Sequence, residues 1–78
     1  MEPRYFIRYN PTKEFVQMLY KLTTNDKGSL VLLYYGEQGG WHYSFSYNDK
    51  QEEFINSDLT QEVTKEEIQE YIEQANTK

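Results

Sequence analysis

The chain has 78 residues, no cysteine, an aromatic share of 17% and a formal net charge of -5. That length supports one domain, residues 1–78, near the lower end of what a single core can stabilise, and without thiols neither a disulfide framework nor a thiolate metal site can brace it. The charge is lopsided, with six basic and five acidic side chains in residues 1–50 but two and eight in residues 51–78. This argues against a general nucleic-acid binder, whose affinity rests on a basic face.

In chain order, RYFIRY at residues 4–9 sets Tyr5, Ile7 and Tyr9 against Arg4, Phe6 and Arg8, an alternation that predicts a first strand. Asn10 and Pro11 then read as a helix start, because asparagine can cap free backbone N–H groups and proline at the first helical position gives up a donor that lacks a partner there. Phe15, Leu19 and Leu22, with Val16 and Met18 beside them, recur at helical spacing and predict a helix. It should end in TTNDKG, where Gly28 can take a positive φ.

The segments SLVLLYYGE and GWHYSFSYND lie on either side of the turn EQGG and predict an antiparallel hairpin. A register symmetric about that turn places Gly36 opposite Trp41, Tyr34 opposite Tyr43, Leu32 opposite Phe45 and Leu30 opposite Tyr47, all on one face. Trp41 would then cover the backbone that Gly36 leaves bare. The reverse face carries Val31, Leu33 and Tyr35 against His42, Ser44 and Ser46. Further on, QEEFINSD reads as a short helical turn capped by Asp49, the favoured form, or as a brief third edge of the hairpin, with Phe54 and Ile55 docking in either case. Thr64 followed by Glu67 has the capping-box pattern, and Ile68, Tyr71, Ile72 and Ala75 form the apolar stripe of a final helix.

The order strand, helix, strand, strand, helix predicts an α+β domain of two layers: a small antiparallel or mixed three-stranded sheet, with both helices on its aromatic face. A parallel first and second strand would need a right-handed crossover, and the place of the third strand stays open. If the final helix instead crosses to the reverse face, the domain has three layers.

The alternating rings resemble a base-stacking strand only in part, because its reverse face holds His42 and serines where anchoring apolar residues would be needed; the rings are therefore expected in the core. His42 and Ser44 could meet on one face, but no carboxylate orients the imidazole. Asp49, Glu52 and Glu53 lack the spacing of a calcium loop, one histidine cannot make a zinc site, and GEQGG lacks the lysine and helix of a phosphate-cradling loop. Catalytic residues, cofactors and metals are not expected.

Two surfaces are candidates for partner binding. One is the apolar patch Val31, Leu33 and Tyr35 beside His42, left in water if both helices take the other face. The other is the acidic stripe Glu62, Glu66, Glu70 and Glu73, to which Glu52, Glu53 and Asp58 add. The expected function is a non-enzymatic, cytoplasmic protein-binding domain, an inhibitor or regulator of a nucleic-acid-handling protein. Its partner would be a protein with a basic surface, or a second copy of the chain. Neither nucleic acid nor membrane is the expected partner. The alternative is a single-stranded nucleic-acid or small-ligand module using the aromatic residues of the sheet.

Overall fold

The computed structural model describes the backbone of residues 2–36, 39–46 and 49–76, and the side chains of those residues except at 44–46, 49–51, 75 and 76. The elements are β1 (Arg4–Tyr9), β2 (Val16–Thr24), β3 (Leu30–Tyr35), β4 (Trp41–Ser46), α1 (Asp49–Ile55), β5 (Thr60–Val63) and α2 (Lys65–Asn76). The α+β class holds, but the sheet has five strands rather than three, in the order β4-β3-β2-β1-β5, and every neighbouring pair is antiparallel. No parallel crossover is made between neighbours. β1 and β3 run in the same direction with β2 between them.

The expected helix through EFVQMLYKL is the central strand β2. Leu19 and Leu22 are three apart, so a helix would place them on one stripe, whereas a strand sends them to opposite faces. Both faces are covered here: Leu19 is 8% exposed with Ile7 in one cluster, and Leu22 is 2% exposed with Phe6 and Leu32 in the other. A strand buried on both sides loses the alternation that identifies a half-buried one. Phe15, placed on the helical stripe by spacing, is instead 57% exposed at the head of the strand.

Asn10 does accept free N–H groups, but it closes a hairpin loop. Its Oδ1 accepts from the amides of Glu14 at 2.7 Å and Phe15 at 3.1 Å, and its own amide donates to the Phe15 carbonyl at 3.0 Å. Lys13 completes the loop with φ at 59°. Asn25 repeats the device between β2 and β3, its Oδ1 accepting from Lys27 and Ser29, and Gly28 supplies the expected positive φ of 79°. Asparagine side chains stabilise such turns by the same bonding that caps helices.

Alternation in β1 puts Phe6 and Ile7 on opposite faces, and each meets a helix. Phe6, Leu22 and Leu32 pack with Ile55 of α1, with Tyr20, Leu30 and Phe54 around them. Ile7, Leu19 and Val63 pack with Ile68 of α2, with Tyr71 and Ile72 beside it. The domain therefore has three layers, and the two-layer expectation is corrected. The short helix α1 forms where it was predicted, and Phe54 and Ile55 both dock. Arg8 fastens it: its guanidinium lies 4.2 Å over the Phe54 ring and donates to Thr60 Oγ1 at 2.9 Å, and that hydroxyl donates to the Phe54 carbonyl at 3.0 Å. Tyr20 meets Phe54 edge to face, and burial pushes its phenol pKa up against the opposing charge of Arg8.

α2 begins on the predicted capping box. The Glu67 amide donates to Thr64 Oγ1 at 3.1 Å, and the Thr64 amide donates to Glu67 Oε1 at 3.4 Å. Among the described residues no helix is long and apolar enough to cross a membrane.

Candidate functional site

The hairpin of β3 and β4 decides which rings are covered. Its register runs Tyr35 to Trp41, Tyr34 to His42 and Leu33 to Tyr43, then breaks between Leu32 and Leu33, and resumes with Leu32 to Phe45 and Val31 to Ser46. The Leu32–Phe45 pairing is the predicted one. Near the turn the pairing is shifted by one residue, which moves Trp41 and Tyr43 to the α2 face with Leu33 and Tyr35, and His42 to the α1 face with Tyr34. The loop has odd length because Gly36 donates to the Gly40 carbonyl at 3.1 Å and Gly39 donates back to Gly36 at 3.0 Å, with φ of 86° at Gly39 and 87° at Gly40. An irregularity of one residue then restores the register.

The imidazole of His42, rather than the indole of Trp41, covers Gly36: a Cβ on that glycine would come within 2.5 Å of the ring. His42 also lies 5.6 Å from Tyr34 between ring centroids. The side chain of Ser44, which alternation sets on one face with His42, lies outside the described residues, as do Tyr47 and the side chains of Phe45, Asp49 and Ala75.

Val31, Leu33, Tyr35 and His42 do not form one patch. Val31 is 5% exposed, Leu33 and Tyr35 are half-buried on the α2 face, and His42 is exposed on the other. Tyr35 meets Trp41 edge to face at 5.4 Å, and Trp41 stands 6.1 Å from Tyr5 of β1. The Lys21 ammonium lies 5.9 Å from both the Tyr5 and Trp41 ring centroids. At the outer end of this cluster, opposite Leu33, Tyr43 is 60% exposed. Sequence alternation placed Tyr43 in the core and gave no role to Lys21 or Tyr5; two consecutive glycines at the end of an odd-length loop were the available sign of the shift.

The acidic stripe is divided in the same way. Glu62 lies on β5 paired with Phe6, and Arg4 clasps it with Nε and Nη2, both at 2.9 Å. That hydrogen bonding, opposed by desolvation and aided by the Arg4 charge, holds the Glu62 pKa below its ordinary value. Glu66, Glu70 and Glu73 are all exposed on α2. At about 100° per residue they cluster on the side opposite Ile68, Tyr71 and Ile72. Burial, with the charges of Tyr9, Glu67 and Glu70, raises the pKa of Tyr71 beneath this ridge. Glu52 and Glu53 belong to α1, across the sheet, and Asp58 to the link that follows it. Among the described residues no three His, Asp or Glu side chains are grouped so as to hold a metal ion.

The chain matches no protein-family model, no curated protein and no solved structure.

Proposed function

We propose that the chain is a non-enzymatic protein-binding domain that docks a partner with a basic surface, as an inhibitor or regulator of a nucleic-acid-handling protein in the cytoplasm would. The observation that carries this reading is that Tyr43, 60% exposed, stands on the sheet face that α2 covers, while α2 turns Glu66, Glu70 and Glu73 outward. The carboxylates would steer a basic partner and speed its association. Tyr43 would anchor it, since tyrosines in the middle of interfaces carry a disproportionate share of binding energy and also accept arginine over the ring face.

Two observations weigh against the other classes. His42 packs on Tyr34 and over Gly36, a structural use of the one histidine. Tyr5, Tyr35 and Trp41 pack on the α2 cluster and on one another, so they do not form an open base-stacking row.

The test is retention of cellular proteins at low and high salt by wild type and by Glu66→Lys/Glu70→Lys. A basic protein held by wild type, lost at high salt and lost on charge reversal supports the reading. Equal retention by the reversed variant refutes the acidic ridge, and capture of nucleic acid in place of protein overturns the class.

A further inference from the structure

We propose that β4 is the pairing edge for a second copy of this chain, joined antiparallel about His42 so that the two five-stranded sheets become one. β4 and β5 are the edges of the sheet, and they are protected unequally. β5 is four residues long and carries Glu62 in its Arg4 clasp, the shortness and charge by which edges avoid further pairing. β4 is six residues, WHYSFS, without lysine, proline or carboxylate, and the adjacent β3, LVLLYY, has no charged residue either.

The hairpin fixes which backbone groups face outward. The Gly36 amide bonds to the Gly40 carbonyl, and pairing alternates from there: His42 faces Tyr34 with its N–H and C=O, while Trp41 and Tyr43 turn theirs away from β3. A two-fold axis through His42 sets Trp41 opposite Tyr43 of the second copy, and each such pair exchanges both backbone hydrogen bonds. It also lays the indole beside Tyr43 of the second copy, covering a ring that is 60% exposed in the single chain. The His42 ring leans over its own Gly36, clear of the edge.

Charge selects this end of the sheet for a second copy, which brings the same net charge of -5. Pairing through β5 would bring the Glu62 carboxylates and both helices together, because α2 takes its main contacts from β1 and α1 from β5. Pairing through β4 leaves the β1 strands of the two copies seven strand steps of about 4.8 Å apart, roughly 30 Å, so the α2 ridges lie well beyond the screening length of about 8 Å at physiological salt. The register break between Leu32 and Leu33 falls beyond Tyr43 and confines regular pairing to residues 41–43, so the association is weak.

Sedimentation equilibrium of the chain alone, from about 10 µM to about 1 mM, reads the association directly. Wild type should move from 9.4 kDa towards twice that mass. Tyr43→Pro removes an outward N–H that β3 does not use, so it should fold and stay monomeric. Tyr43→Ser loses the same ring but keeps the N–H, and should still associate, about two- to fivefold more weakly than wild type. Wild type that stays monomeric overturns the proposal, as does Tyr43→Pro that associates like Tyr43→Ser. If the proline variant does not fold, amide exchange of wild type decides: the Trp41 and Tyr43 amides should gain protection as concentration rises, while that of His42 is protected throughout. Protection of Trp41 and Tyr43 that does not change with concentration overturns the pairing.

Discussion

Phe6 and Ile7 are neighbours in β1, and each is 2% exposed, one beneath α1 and the other beneath α2. A sheet covered on one side would leave one of them in water, where truncation changes stability by no more than about 0.5 kcal/mol. In three layers both are core. Phe6→Ala should cost about 3–5 kcal/mol and Ile7→Ala about 2–5 kcal/mol in urea unfolding. A domain of this size commonly holds only about 5 kcal/mol, so the double variant should be unfolded at 25 °C. A near-neutral result at either position would remove one of the two helices from the sheet.

The Lys13 backbone separates a loop from a helix by the sign of one substitution. Its φ of 59° is left-handed, which costs most side chains about 1 kcal/mol and glycine almost nothing. Lys13→Gly should therefore leave stability unchanged or raise it by about 0.5 kcal/mol in thermal unfolding. In a helix starting at Pro11, the same change would lower stability by about 0.5–1 kcal/mol. A clear loss would restore the helix that spacing suggests.

Elements with local signals were legible in the sequence. The alternation of β1, the hairpin ends, the helical turn carrying Phe54 and Ile55, and the capping box at Thr64 and Glu67 each need only neighbouring residues. β2 was hidden because Asn10 and Pro11 suit a helix start as well as a turn, and because a strand covered on both faces has no alternation to read. β5 was hidden for a different reason. TQEV buries one side chain, Val63, and becomes a strand only by pairing with β1. Missing β5 also merged Glu62 with the helix ridge, and the single-residue shift near the turn moved Tyr43 from the expected core to the surface.

The Arg4–Glu62 clasp ties the edge strand β5 to β1 and should give stability an acid-side dependence. The folded-state pKa of Glu62 is lowered, so its contribution is fully present above the ordinary value of 4.5 and is lost as pH falls through the lower folded-state value. Both side chains are about half exposed, at 48% and 51%, so the pair contributes only about 0.5 kcal/mol and less at high salt. Wild type should exceed Glu62→Gln by this small amount at pH 6 in low salt, and the two should converge below pH 4.5. A difference that persists unchanged in strong acid would show that the glutamine perturbs packing instead of removing a charge.

Tyr43 tests whether exposure here marks function. An exposed ring on a strand contributes little to folding, so Tyr43→Ser should shift unfolding by no more than about 0.5 kcal/mol. An interface anchor behaves differently, because its truncation costs about 2 kcal/mol of binding or more, roughly a thirtyfold loss of affinity. Trp41→Ala, by contrast, removes a ring that packs on Tyr5 and Tyr35 and should lower stability as well as any binding. Calorimetric titration of the retained partner against both variants, with urea unfolding of each, separates the two roles. If Tyr43→Ser binds as wild type does, the exposed ring is incidental and the contact surface is confined to the acidic side of α2.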